Sequence, residues 1–281
     1  MFDFRYHALS LVAVFLALMI GLLLGVAIGD QGLVSSAERN VRDSLRKDVR
    51  QANARSAELQ RELNQRDRVD EAIYPLLVED RLAGQRIGLI GLGNLPDSTI
   101  RAVRDALENT GGRLSGVAVV GEPVPSGAVR SLKGASDPPA NGDYTRLGRQ
   151  VGATLVVGGK ASKGSTGSVL SSSSGKLTGL NGVIVFHAPR DLSGDDAATT
   201  DAFEAGFVDG LKSGQAELSG IEETDTEPSQ IQWFKDRGLP SVDNVDTLSG
   251  HAALVFVLLG ASGSYGEKDS AQALLPNSAG G

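Results

Sequence analysis

The 281-residue chain contains no cysteine. That one absence excludes disulfides, thiolate metal sites, cysteine nucleophiles and iron–sulfur clusters together. It leaves the compartment open, because a chain without thiols is indifferent to redox poise. Histidine is nearly as scarce: His7, His187 and His251 are the three. A three-histidine zinc centre would need all of them, and His7 borders a long apolar run. Methionine occurs only as Met1 and Met19. A basic stripe is missing as well. Charge is balanced from Asp30 to Glu71, and the formal net charge of −7 falls on the residues that follow. Phosphate backbones need clustered Lys and Arg, so no nucleic acid partner is expected.

What the chain has in quantity is glycine, 36 residues, beside a hydrophobic content of 41%. It can bury a core and still spare residues for long loops. The first apolar feature is Ala8 to Gly29, without a charge and with one hydroxyl, Ser10. At 1.5 Å per residue it extends about 33 Å, close to the hydrocarbon thickness of a bilayer. Residues 1–30 are therefore predicted to form a transmembrane anchor with the lipid bilayer as partner. A cleaved signal is the alternative, since Ala27-Ile28-Gly29 offers small residues for cleavage. Arg5 precedes the run, whereas Arg39, Arg42, Arg46 and Lys47 follow it. The positive-inside count alone puts the following part in the cytoplasm, but long domains translocate despite nearby charge. Gly21, Gly25 and Gly29 repeat at intervals of four on one helix face. That is the GxxxG spacing that lets a second helix approach closely.

Residues 31–74 read as a helical stalk, rich in Ala, Leu, Glu, Gln and Arg. Ser35 and Ser36 are candidate caps, and Pro75 is expected to end the helix. Leu45, Val49, Ala52, Ser56, Leu59 and Leu63 alternate spacings of four and three, an a/d seam of period 3.5. The pattern fails at Arg66 and Asp70. The seam and the glycine face upstream both predict a homodimer or higher oligomer. The other reading of the seam is one amphipathic helix packed on its own domain.

Residues 75–281 read as one α/β domain with a mostly parallel, Rossmann-like sheet. Strands are expected at Arg86–Gly91, Leu114–Val120, Thr154–Val157, Val183–Phe186 and Leu218–Glu222. Helices are expected at Pro96–Asn109, Tyr144–Val151, Asp195–Ser213 and Leu248–Leu259, the last apolar all round, with a strand as its alternative, and preceded by the cap Asp246-Thr247. This alternation implies β-α-β crossovers. Glu122–Asp143, with four prolines, reads as a surface excursion. Residues 158–182 read as a mobile low-complexity loop and 262–281 as a flexible tail.

Several groups invite chemistry. Gly91-Leu92-Gly93-Asn94-Leu95-Pro96 sits where a dinucleotide fingerprint would. Its third position is Pro, and Glu122 lies late for the ribose-binding acid, so Gly91 and Gly93 read instead as a tight β-α turn. Gly159 to Ser165 lacks the lysine of a phosphate loop. Asp243 and Asp246, in Asp243-Asn244-Val245-Asp246-Thr247, are metal candidates by their oxygens. So is the acidic run Glu222, Glu223, Asp225 and Glu227, although turn and cap roles suit both groups. His187, at a strand end, and His251 complete the metal candidates. No catalytic order of Ser, His and Asp stands out, so no enzyme and no firm cofactor are expected.

Phe2-Asp3-Phe4-Arg5-Tyr6-His7-Ala8-Leu9-Ser10-Leu11-Val12-Ala13-Val14-Phe15-Leu16-Ala17-Leu18, running on to Gly21 and Gly25, resembles the actinobacterial copper transport outer-membrane protein family. So does Ser241-Val242-Asp243-Asn244-Val245-Asp246-Thr247 with Gly250, followed by Gly263-Ser264-Tyr265-Gly266 and Leu274-Leu275-Pro276. The resemblance implies a single-pass envelope protein of the inner or outer membrane with an extracytoplasmic domain. Its implied role is copper efflux, with copper as the associated metal. The alternative, favoured by the glycine face and the heptads, is a non-enzymatic dimeric scaffold bound to cell-envelope or division proteins. The residues themselves do not supply copper chemistry, because Cu(I) prefers thiolate and thioether ligands. Nor do they show the alternating strands of an outer-membrane barrel.

Overall fold

The computed structural model describes residues 4–29, 33–158 and 168–276. The chain divides into two compact units, Met1–Asp67 and Arg68–Gly281.

In the first unit, α1 (Phe4–Gly29) is apolar on every side. Its stretch Arg5–Ala27 is long and apolar enough to cross a membrane, and none of it is buried in protein. Leu18, Gly21, Leu22, Gly25 and Val26 line a shallow open groove on it. A Cβ at Gly21 or Gly25 would meet nothing within 4 Å. Helix α2 (Leu33–Val78) follows. It begins before Ser35 and Ser36, so both serines lie inside its first turn and neither is its cap. Leu45, Val49, Leu59 and Leu63 are exposed along it, as are Ala52 and Ser56. The chain thus carries the seam residues on one exposed helix.

Pro75 lies inside α2 rather than ending it. Proline removes one donor and crowds the preceding turn, at about 3 kcal/mol in a helix interior. Here it sits in the last turn, where packing of its neighbours holds the helix. Tyr74 and Val78 are buried, and the Tyr74 hydroxyl donates to the Ala106 carbonyl at 2.8 Å.

The second unit is built on a seven-stranded sheet. Its strands are β1 (Arg86–Leu92), β2 (Arg113–Val120), β3 (Leu170–Gly175), β4 (Gly182–His187), β5 (Glu217–Ile221), β6 (Ser241–Val242) and β7 (Ser264–Tyr265). The spatial order is β3-β2-β1-β4-β5-β6-β7. All neighbours are parallel except β3, which runs antiparallel to β2. The crossovers are α3 (Asp97–Leu107), α4 (Ser126–Arg130) with α5 (Asn141–Ala153), α6 (Gly194–Lys212), α7 (Ile231–Asp236) and α8 (Leu248–Leu258). β4 is buried throughout, as central strands covered on both faces must be. Alternation divides its side chains between two cores. Val183 and Val185 join Leu147, Val151, Phe203, Phe207 and Leu211. Ile184 and Phe186 join Tyr74, Val103, Leu107, Leu254 and Leu258.

Helices α5 and α6 touch backbone to backbone. A Cβ at Gly148 would stand 2.0 Å from the Phe203 carbonyl oxygen, and one at Gly152 2.2 Å from that of Phe207. Gly206 and Gly210 face the Thr145 and Arg149 carbonyls in the same way, at 1.9 and 2.3 Å.

Four expectations are corrected. Thr154–Val157 is no strand; Thr154–Gly158 is a π-helical turn continuing α5. Leu155 and Val156 bury there, and a short apolar run suits either conformation. The place beside β2 goes instead to β3, from within the segment 158–182. Ladder bonds from β2 hold Leu170–Gly175 even though its side chains are mostly exposed. The Glu122–Asp143 excursion carries α4 and buries Val124, Ala128, Val129 and Leu132 in the core. The expected tail supplies β7, with Tyr265 buried. The phosphate-loop candidate, Gly159 to Ser165, lies outside the described residues.

Candidate functional site at the carboxyl edge of the sheet

β1 and β4 are adjacent, but the chain leaves them towards β2 and β5, on opposite sides. That makes their carboxyl ends a topological switch point, where doubly wound folds form a crevice. Two loops and one helix place charge there. Glu122 follows β2, Arg190 follows β4, and Asp201 and Glu204 project from α6.

Arg190 holds the cluster together. Its Nη1 donates to Glu204 Oε1, and its Nη2 to Asp201 Oδ1. The same Nη1 is 3.5 Å from Glu122 Oε1. Glu204 is 1% exposed. Burial opposes its charge, but His187 and Arg190 outweigh burial and hold its carboxyl below the usual range. For Glu122 the balance reverses. Burial first, then the Glu204 carboxyl beside it, push it up to about 7 against the pull of Arg190. Burial disfavours the Arg190 charge, yet Glu204, Glu122 and Asp201 raise its pKa overall.

His187 ends β4 and is buried. Its Nδ1 is 2.6 Å from Gln230 Oε1. The Gln230 amide nitrogen donates to the Pro228 carbonyl, which turns Oε1 towards the ring and makes Nδ1 the donor. Nε2 meets Glu204 at 3.3 Å. The ring stacks on Trp233 at 4.2 Å between centroids, and Arg237 lies 3.9 Å from the Trp233 ring centroid. Both ring nitrogens of His187 are therefore committed.

The glycine turn after β1 is a packed turn. A Cβ at Gly91 would meet Leu95 Cβ at 2.8 Å. Gly93 has φ +81, and a Cβ there would lie 3.0 Å from Glu122 Oε2 and 3.1 Å from Ala188 Cβ. The carboxyl of Glu122 thus stands against the turn on which a pyrophosphate would rest. Asp97 adds a second acid in the first turn of α3. The Glu122 side chain occupies the space beside Gly93 that a phosphate would need.

The remaining candidates serve the last strands. Asp243 accepts the backbone amides of Glu267 and Lys268 at 2.8 and 3.1 Å. Burial raises its carboxyl pKa against these bonds. Gly266, at φ +139, lies so close that a Cβ would meet Asp243 Oδ1 at 1.7 Å. Asp246 accepts the amide and hydroxyl of Thr224 at 2.7 and 3.0 Å. Thr247 caps α8 by accepting from the Gly250 amide. Glu222, fully buried, accepts from Ser229 and from Lys268 Nζ at 2.8 and 2.7 Å. Glu223 receives Ser98 and Thr99. His251 packs edge-on against Tyr74, and burial lowers its pKa. Among the described residues no three of His, Asp or Glu are grouped to hold a metal ion.

Sequence reasoning singled out His187 and mentioned Glu122. It missed Arg190, Asp201, Glu204 and the Trp233–Arg237 pair. One signal was available: Glu204 occupies an apolar stripe with Thr200, Phe203, Phe207 and Leu211, all buried.

Fold and site together define a doubly wound α/β domain with a carboxylate–arginine–histidine network at its switch point, in a chain that also carries one helix of membrane-spanning length. Residues 1–276 match the family described as "Copper transport outer membrane protein, MctB", and the chain belongs to that family. It is 29% identical over 157 residues to the "Copper transporter MctB" of Mycobacterium tuberculosis (strain ATCC 25618 / H37Rv) and to that of Mycobacterium bovis. The match covers 56% of this chain and 48% of each relative. The chain thus spans about half the length of the curated relatives it matches.

The thiolate and thioether ligands that Cu(I) prefers are scarce in this sequence. The whole chain has no Cys and only Met1 and Met19 as thioethers. Met19 sits on exposed α1.

Proposed function

We propose that this protein is a membrane-anchored, non-enzymatic component of copper efflux across the cell envelope, with its α/β domain on the extracytoplasmic side. The family match over residues 1–276 carries the reading. The apolar helix over Arg5–Ala27 supports the anchor. Because one helix cannot enclose a pore, the role is assigned to an assembly and no copper ligand to any residue of the chain. Deletion of the gene should raise cellular copper, and re-expression should restore it. Unchanged copper content in the deletion strain would overturn the reading. A reporter fused after the α/β domain should be active only outside the cytoplasm.

A second reading is a dimeric scaffold in an envelope or cell-separation complex. The exposed stripe Leu45, Val49, Leu59 and Leu63 favours it, with Gly21 and Gly25 open on α1. The chain lacks cysteine, so Leu45→Cys or Leu59→Cys provides a single clean crosslink. Oxidation in membranes should give a disulfide dimer at these seam positions and none at the flanking Arg61→Cys. Monomer throughout would remove the scaffold reading.

A further inference from the structure

We propose that Glu122 is a proton-operated plug in the crevice between the carboxyl ends of β1 and β4. The geometry comes first. Its side chain is 9% exposed and reaches over the turn after β1, beside Gly93. It stands where a doubly wound sheet opens to ligands. Its seat is poorly supplied with positive charge. Arg190 is the guanidinium in the cluster, and its two terminal nitrogens already donate to Glu204 and Asp201. Glu122 is left with a 3.5 Å approach to Nη1, and its Oε1 accepts no hydrogen bond.

The groups around it do not relieve this. From α6 come Glu204 and Asp201, both acidic. From the end of β4 comes His187, turned towards Glu204 and Gln230. After α7 comes Arg237, which lies over Trp233 and acts on Glu204 and Asp201. An ionised Glu122 is therefore a buried charge beside a second carboxylate, with one shared cation. A protonated Glu122 is neutral and donates to Glu204. Burial and Glu204 place this change near pH 7. On losing its proton the side chain leaves the crevice for water, where its charge is solvated. The backbone of the β1–α3 turn at Gly93 is then uncovered.

The test is hydrogen exchange on the full chain in detergent micelles, corrected for intrinsic rates. Peptides covering residues 91–96, 120–124 and 187–191 should lose protection by about tenfold between pH 6 and 8, the linkage of one carboxyl moving from about 7 to its free value. Glu122→Gln, neutral at every pH, should show no such step. Flat wild-type protection, or a Glu122→Gln step equal to wild type, would overturn the proposal. Where the variant fails to fold, carboxyl-carbon NMR on the wild-type protein decides. A Glu122 signal titrating near 7 supports the plug, and one titrating in the ordinary glutamate range refutes it.

Discussion

Gly206 lies so close to Thr145 that a Cβ on it would stand 1.9 Å from the Thr145 carbonyl oxygen. The two helices of the second crossover layer meet through Gly148, Gly152, Gly206 and Gly210, and main-chain atoms form the contact. Gly206→Ala must push α6 off α5. Overpacking of this kind costs about 1–3 kcal/mol or more, so the melting temperature should fall by roughly 3–10 °C for a domain of this size. Gly142→Ala, on α5 with nothing within 4 Å, should leave it unchanged or slightly raised. Calorimetry or circular dichroism on both variants checks the contrast.

Arg190→Met should destabilise the α/β unit more than any surface substitution. It strands Glu204, at 1% exposure, without its guanidinium. Breaking one partner of a buried pair costs about 3–5 kcal/mol. Adding Glu204→Gln should recover part of the loss. A double-mutant cycle by denaturant unfolding measures it.

Stability should depend on pH through two carboxyls of opposite sign. Glu122 is raised on folding, so its contribution is complete below its ordinary range and is lost as pH rises through about 7. Glu204 is lowered, so its contribution is complete above the ordinary range and is lost as pH falls through its depressed pKa. Between pH 5 and 8 the wild-type melting temperature should decline, with Glu122 accounting for at most about 3 kcal/mol. Glu122→Gln should flatten that decline.

Asp243→Ala should free the last strand. Asp243 receives the amides of Glu267 and Lys268, and Lys268 in turn neutralises buried Glu222. The variant should become sensitive to limited proteolysis after Gly263 while the rest of the domain resists. Equal cleavage of wild type and variant would show that the pairing of β6 with β7 alone holds the segment.

Local pattern carried much of the architecture. Arg86–Leu92 and Gly182–His187 are short apolar runs bounded by turn residues, and they became central strands. The segment Leu248–Leu258, with apolar residues on every side, became a buried helix under a Thr247 cap. Pro75 misled because a proline near a helix end removes one bond, and the burial of Tyr74 and Val78 outweighs that loss. His187 was visible as a strand-end histidine. Its partners were not, because Arg190 and Glu204 become neighbours only once α6 folds back over the sheet.

By itself the sequence determined the membrane-length helix, the strands β1, β2, β4 and β5 with the helices α3, α5, α6 and α8, and the lack of thiol chemistry. Each follows from composition or from hydrophobic periodicity within one segment. Tertiary structure alone decided that Leu170–Gly175, and not Thr154–Val157, lies beside β2. An edge strand is selected by the backbone hydrogen bonds its neighbour leaves free, and these have no signature in side chains. It also decided that Glu122, Arg190 and Glu204 share one buried seat. Charges distant in sequence influence one another only when crossovers bring them within a few ångströms and shield them from water.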